Sequence, residues 1–317
     1  MATYKEIKGT GFQNFSSDPG NPVNGQVWYN TGSSALKVAE VTTTGSWATG
    51  GNLGTGRYRL AGAGTQTAGL AFGGTQDPDA TEEYNGSAWT GGGNMNTGRF
   101  SLNGTGTQTA ALGFGGGPYP SATNATEEYN GSSWTNGGNM STARIFLGGA
   151  GTQTAGLAFG GQQPSSNKFS ATEEYNGTAW TGGGNLNTAR TKIGGTGTQT
   201  AGLGFGGYSP PSTLTEEYNG TAWTNSGNMN TARGGMGTAG TQTAALAMGG
   251  EPAYNKTESY NGTSWAEDTN ITIFKYNLAG CGTQTVALAF GGVGNGPTAA
   301  TQEYTGPGTT IETVTTS

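Results

Sequence analysis

The chain has 317 residues, 63 of them glycine and none histidine, with a net charge of −6. Glycine at about three times ordinary usage argues against a helix-rich protein, because glycine weakens helix interiors and suits turns with positive φ. Without histidine there is no Ser-His-Asp or Cys-His machinery, no HExxH zinc site and no imidazole switch. An acidic chain also lacks the basic footprint of a nucleic-acid binder, and no apolar run approaches the roughly 18 residues of a membrane span. The expected class is a soluble all-β protein that uses no cofactor.

In chain order, residues 1–21 read as an attachment or capping arm. Their start, Met-Ala-Thr-Tyr-Lys-Glu-Ile-Lys, lacks the apolar core of a secretory leader, so synthesis in a cytoplasm is expected. The segment Asp18-Pro-Gly-Asn-Pro22-Val-Asn-Gly25-Gln-Val-Trp28-Tyr-Asn-Thr31, followed by Ala35-Leu-Lys-Val38, resembles a stretch common in structural proteins of marine and other tailed phages. The resemblance covers about 20 residues. It implies a virion component assembled in the host cytoplasm, with other virion proteins as partners.

A repeat governs the rest of the chain. Gly-Thr-Gln-Thr recurs with its glutamine at 66, 108, 153, 199, 242 and 284, at intervals of 42 to 46 residues. Each copy runs into a small, apolar strand closed by two glycines, then into Thr-Glu-Glu-Tyr-Asn-Gly-x-x-Trp or a variant. Tyrosine to tryptophan is 5 residues, tryptophan to the next glutamine 19, and glutamine to the second glycine 8. Only the stretch from the glycine pair to the tyrosine varies, from 10 to 14 residues. Asn85-Gly86 and its equivalents predict type I′ hairpins, and Gly-Thr-Gln-Thr predicts a second hairpin turn. Each unit is therefore four antiparallel strands, the size and content of a propeller blade.

The order arginine, glycine pair, tyrosine, tryptophan, carried by Arg99, Gly115-Gly116, Tyr129 and Trp134, resembles the kelch repeat. It implies an all-β, kelch-type β-propeller over residues 22–317. A degenerate N-terminal unit (Val27-Trp28-Tyr29, Leu36–Val41, Trp47) keeps the frame, since Trp47 lies 19 residues before Gln66. Seven blades are favoured, with the N- and C-terminal segments meeting and Thr309–Val314 as the fourth strand of the last full unit. Six blades, closed by Ser46–Ala48, is the alternative. The sixth copy departs from the pattern: Lys275 replaces the arginine and no tryptophan follows Tyr304.

Several motifs invite chemistry and are better explained by packing. Neighbouring residues of a strand point to opposite faces, so the doublets Glu82-Glu83, Glu127-Glu128, Glu173-Glu174 and Glu216-Glu217 are not catalytic dyads. They are expected to pair with Arg99, Arg144, Arg190 or Arg233. A sialidase box is absent, and a copper oxidase would need histidine. Gly62-x-Gly64 lacks the ending of a phosphate loop. The Asn-Gly-Ser/Thr triplets read as turns rather than glycosylation sites. Cys281 occupies a slot given to alanine or threonine elsewhere, a buried filler. No metal site is expected, and Asp77 and Asp79 offer only two carboxylates.

Trp47, Trp89, Trp134, Trp180, Trp223 and Trp265 are expected to fill the wedges between blades. The loops joining second and third strands (Thr75–Ala80, Gly117–Ala125, Gln162–Ala171, Tyr208–Leu214, Glu251–Lys256 and Val293–Ala300) are the candidates for partner binding. Tyr119, Gln162, Phe169, Tyr208 and Tyr254 are their candidate anchors. The functional expectation is a non-enzymatic virion protein, tail-associated or decorating the capsid, whose loops dock to a host receptor or surface glycan. A propeller lectin with aromatic pockets between blades is the alternative. An enzyme would need a non-repeated polar cluster in the central channel.

Overall fold

A computed structural model describes residues 13–314 except 43, 119 and 274. Among the described residues there are strands and turns and no helix, hence none long and apolar enough to cross a membrane. All seven expected four-stranded sheets are present. They divide into two compact units, residues 46–305 with six sheets and the two terminal segments with one.

In the larger unit each blade follows the repeat. The first runs Ala61–Gly64, Gly69–Phe72, Thr81–Tyr84 and Trp89–Gly91, every neighbour antiparallel. The first strands of the six blades run from Ala61–Gly64 round to Ala279–Gly282, which packs back against Ala61–Gly64. A channel lined by these six strands passes through the middle. Their approach is close: a Cβ on Gly62 would sit 2.7 Å from the Phe290 ring and 3.1 Å from the Gly280 carbonyl oxygen. Only glycine fits there.

Closure follows the six-blade alternative within this unit. Ser46–Thr49, not Thr309–Val314, is the fourth strand of the last blade and pairs with Thr301–Thr305. The physical reason is Trp47. It stands opposite Tyr304, with ring centroids 5.0 Å apart, as Trp89 stands opposite Tyr84. The tryptophan missing from the sixth copy is thus supplied from the start of the ring.

The terminal segments meet, as expected, in the seventh sheet. Val27–Asn30 pairs antiparallel with Ala35–Val41, which pairs antiparallel with Thr309–Thr313. Gln13–Phe15 adds a parallel strand. Buried Trp28 and Asn30 both donate to the Asp18 carboxylate, at 3.0 and 2.6 Å, and these bonds hold Asp18 below its ordinary pKa. The Asp18…Trp28-Tyr-Asn motif is therefore a local cap as well as a resemblance.

The invariant residues latch each blade to the one before it. Gln108 donates to the carbonyls of Gly69 and Tyr84, Tyr129 donates to Glu83 at 2.6 Å, and Trp134 Nε1 donates to Thr81 at 2.9 Å. The same set recurs round the ring, for example as Gln199, Tyr218 and Trp223. Burial pushes the hydroxyls of Tyr84, Tyr129, Tyr175, Tyr218 and Tyr260 up to about 12. Cys281 is buried and its thiol is pushed up by the same cause.

One turn differs from expectation. Asn85 N–H donates to the Ala88 carbonyl, so the central pair is Gly86-Ser87, and only Gly86 has positive φ, 91°. That is the type II′ pattern rather than type I′. The Asn85 side chain instead accepts from the backbone N–H groups of Ser87 and Ala88.

Candidate functional site

Each loop of variable length leaves the glycine pair and returns to the third strand, and a buried cation closes its base. Arg57 Nη1 donates to the carbonyls of Gly73 and Ala80, the two feet of the first loop, and Nη2 pairs with Glu82 at 2.8 Å. Arg99, Arg144 and Arg190 repeat this on Glu127, Glu173 and Glu216 at 2.7–2.9 Å. Arg233 holds the Gly249 carbonyl and Glu258. Burial pulls the Arg99 guanidinium below its usual pKa, and Glu127 opposes that. The first glutamate of each doublet is thus the partner of the arginine in its own blade. The second accepts from the tyrosine of the following blade, as Glu83 does from Tyr129.

The sixth blade is the exception. Lys275 is fully buried, donates to the Ala300 carbonyl, and faces Gln302 where other blades carry glutamate. Burial pulls its ammonium down to about 8.

Two residues after each clamp, the chain turns at the mouth of the channel. Arg59, Ser101, Phe146, Lys192, Gly235 and Asn277 occupy one equivalent position, and each has φ between 51° and 65°. Their backbones form a closed cycle in which each N–H donates to the carbonyl of the preceding member. Ser101 donates to Arg59, Phe146 to Ser101, Lys192 to Phe146, Gly235 to Lys192, Asn277 to Gly235 and Arg59 to Asn277, all at 2.7–3.0 Å. Left-handed backbone costs a non-glycine residue roughly 1 kcal/mol or more, so the cycle holds five side chains where glycine would sit without strain.

These side chains build a cavity of about 90 Å³ at the mouth. The Arg59 guanidinium lies 5.0 Å from the centre of the Phe146 ring, 5.4 Å from Tyr58 and 5.9 Å from Phe100. The Lys192 ammonium lies 5.3 Å from Phe146 and 4.9 Å from Tyr208, and pairs with Glu251. A second cavity of about 190 Å³ adjoins the first through Arg59, Ser101 and Phe146, and reaches the loop residues Pro120, Gln162 and Pro164.

The candidate anchors divide accordingly. Gln162 lines the second cavity, and Tyr208 stacks beneath Lys192. Tyr254 is exposed and rests on Tyr276, ring centres 5.5 Å apart. Phe169 is half-buried, its backbone bonded to Gly161 and Arg190. Tyr119 lies outside the described residues. The six repeat tryptophans pack against tyrosine and phenylalanine rings 4.7–5.2 Å away, and Trp180 and Trp47 are only partly buried.

Arg59, Phe146 and Lys192 were not singled out by sequence. Their signal was present: a position two residues after the clamp, at constant spacing, that reads Arg, Ser, Phe, Lys, Gly, Asn. Among the described residues, no group of three or more metal-ligating side chains converges. Comparison with protein-family models finds none that matches the chain, and comparison with curated proteins likewise finds no match.

Proposed function

We propose that this chain is a kelch-type propeller that serves as a non-enzymatic component of a bacteriophage particle, displaying its loop face to a partner. The observation that carries the reading is the clamped loop base. Five loops of different length share one arginine closure, so length and sequence above the clamp vary without cost to the blade. A scaffold that fixes loop feet and frees loop tips suits recognition. The Pro-x-x-Gly-Gln-x-Trp-Tyr-Asn-Thr segment supports the phage assignment by resemblance, and its partners are then other virion proteins and a host surface receptor or glycan. The repeat tryptophans, stacked and bonded between blades, offer less to a lectin than the mouth and loops do.

Mass spectrometry of purified particles tests the assignment. A fixed copy number per particle supports it, and absence from particles contradicts it. Shortening the third loop within residues 163–167 spares both feet of the Arg144 clamp. Loss of docking with an unchanged fold is expected; unchanged docking argues against this loop as the recognition element.

A further inference from the structure

The channel mouth joins an unneutralised cation to an apolar cavity. The chain has six arginines, and five are clamps paired with a glutamate. Among the described residues, the Arg59 side chain makes no hydrogen bond or ion pair. Its Nε is buried without a partner, as in four of the clamps, but here no carboxylate compensates. Three aromatic rings surround the guanidinium and set its plane. Rings attract a cation without satisfying its N–H donors, which stay directed at whatever enters.

The charge balance selects the ligand. Lys192 is the second cation at the mouth, and Glu251 already neutralises it. One net positive charge is left, which a monoanion balances, while a dianion would meet Glu251. The geometry of a guanidinium fits a carboxylate through two parallel N–H···O bonds. The adjoining cavity is walled by Phe100, Pro120, Ile145, Phe146 and Pro164, and so takes an apolar body. The left-handed cycle holds Arg59 and Phe146 in fixed positions above the channel.

We propose that the channel mouth binds a small organic monocarboxylate, its carboxylate on Arg59 and its apolar body in the cavity beside Phe146. The ligand is either a free acid or the acidic end group of a larger molecule, since the chemistry at Arg59 is the same. Gln162 lies at the rim of this cavity, where the amide can meet polar substituents on the body.

Ligand-observed NMR on the intact chain tests the site with benzoate, its neutral isostere benzamide, and inorganic phosphate. Benzoate is expected to bind with saturation at millimolar concentration, and benzamide and phosphate about tenfold or more weaker. Arg59→Gln is expected to weaken benzoate by about tenfold or more while the thermal midpoint is kept. Equal binding of benzoate and benzamide by the parent chain would overturn the proposal without recourse to any variant. So would phosphate binding as tightly as benzoate, no benzoate binding, or full benzoate affinity in a folded Arg59→Gln chain. If benzoate binds as expected, an oligomer ending in an acidic sugar residue that competes with it identifies an end group as a source; failure to compete favours a free acid.

Discussion

Arg57 and Arg59 are two residues apart and serve opposite ends. The first is sealed in the blade, with two carbonyls and a carboxylate on its guanidinium. The second stands at the channel mouth among aromatic rings and has no anion. The difference teaches how the repeat divides its work. Positions that keep their identity bond to the neighbouring blade or to a loop foot, whereas the position that changes identity at constant spacing faces the channel.

Alkali should break the conserved layer most severely. Five latch tyrosines have hydroxyls raised from 10 to about 12, chiefly by burial and then by a hydrogen bond, to glutamate in each case. A raised pKa means the stabilisation is complete below about pH 10 and is lost as pH climbs through about 12. Circular dichroism should show cooperative unfolding in that window, together with tyrosinate absorbance. Unfolding well before tyrosine ionises would contradict the latch.

Removing one clamp partner ranks next. Glu127→Ala strands a buried guanidinium and should cost about 3–5 kcal/mol in urea denaturation. Lys275 sharpens the same point from the other side, because the sixth blade holds a cation without a carboxylate. Lys275→Met should stabilise the ring by about 1–3 kcal/mol at pH 7, since an uncompensated buried charge is removed. The folded pKa near 8 lies below the free value of 10.5. Folding is therefore penalised below pH 8, and the penalty fades between pH 8 and 10.5. The advantage of the methionine variant should shrink across that window; a constant advantage would assign it to packing alone.

Loop shortening should have the smallest effect on the fold. Deleting residues within 163–167 leaves the carbonyls of Gly160 and Ala171 on Arg144. Loop closure changes slowly with length, so the shift should stay under about 1 kcal/mol.

Much of the ring was legible because its residues repeat. The glycine pair, the Gly-Thr-Gln-Thr turn and the Tyr–Trp spacing each mark a contact made in blade after blade. The clamp was readable as a charge pairing between arginine and the first glutamate. Its second task, closing the loop foot through carbonyls, leaves no trace in residue identity. Trp47 kept its frame, yet its sheet was decided by Tyr304 more than 250 residues away. The turn at Asn85-Gly86 was misread by one residue, because the asparagine side chain takes over a backbone role.

The mouth escaped notice for a different reason. Positive φ is readable from sequence when glycine occupies the site, as at Gly235. It is hidden when Arg59, Ser101, Phe146, Lys192 and Asn277 adopt the same backbone. What varied in length drew attention, and what varied in identity at fixed length did not.

The division of labour is tested most directly by replacing Arg59, Phe146 and Lys192 together with glycine, the residue already present at 235. Thermal unfolding of this chain, with and without benzoate, is the measurement. The cycle is made by backbone groups and the latches are untouched, so the midpoint should stay within about 5 °C of the parent's, and benzoate should no longer raise it. A collapse of the cooperative transition, or a midpoint that benzoate still raises, would contradict the account.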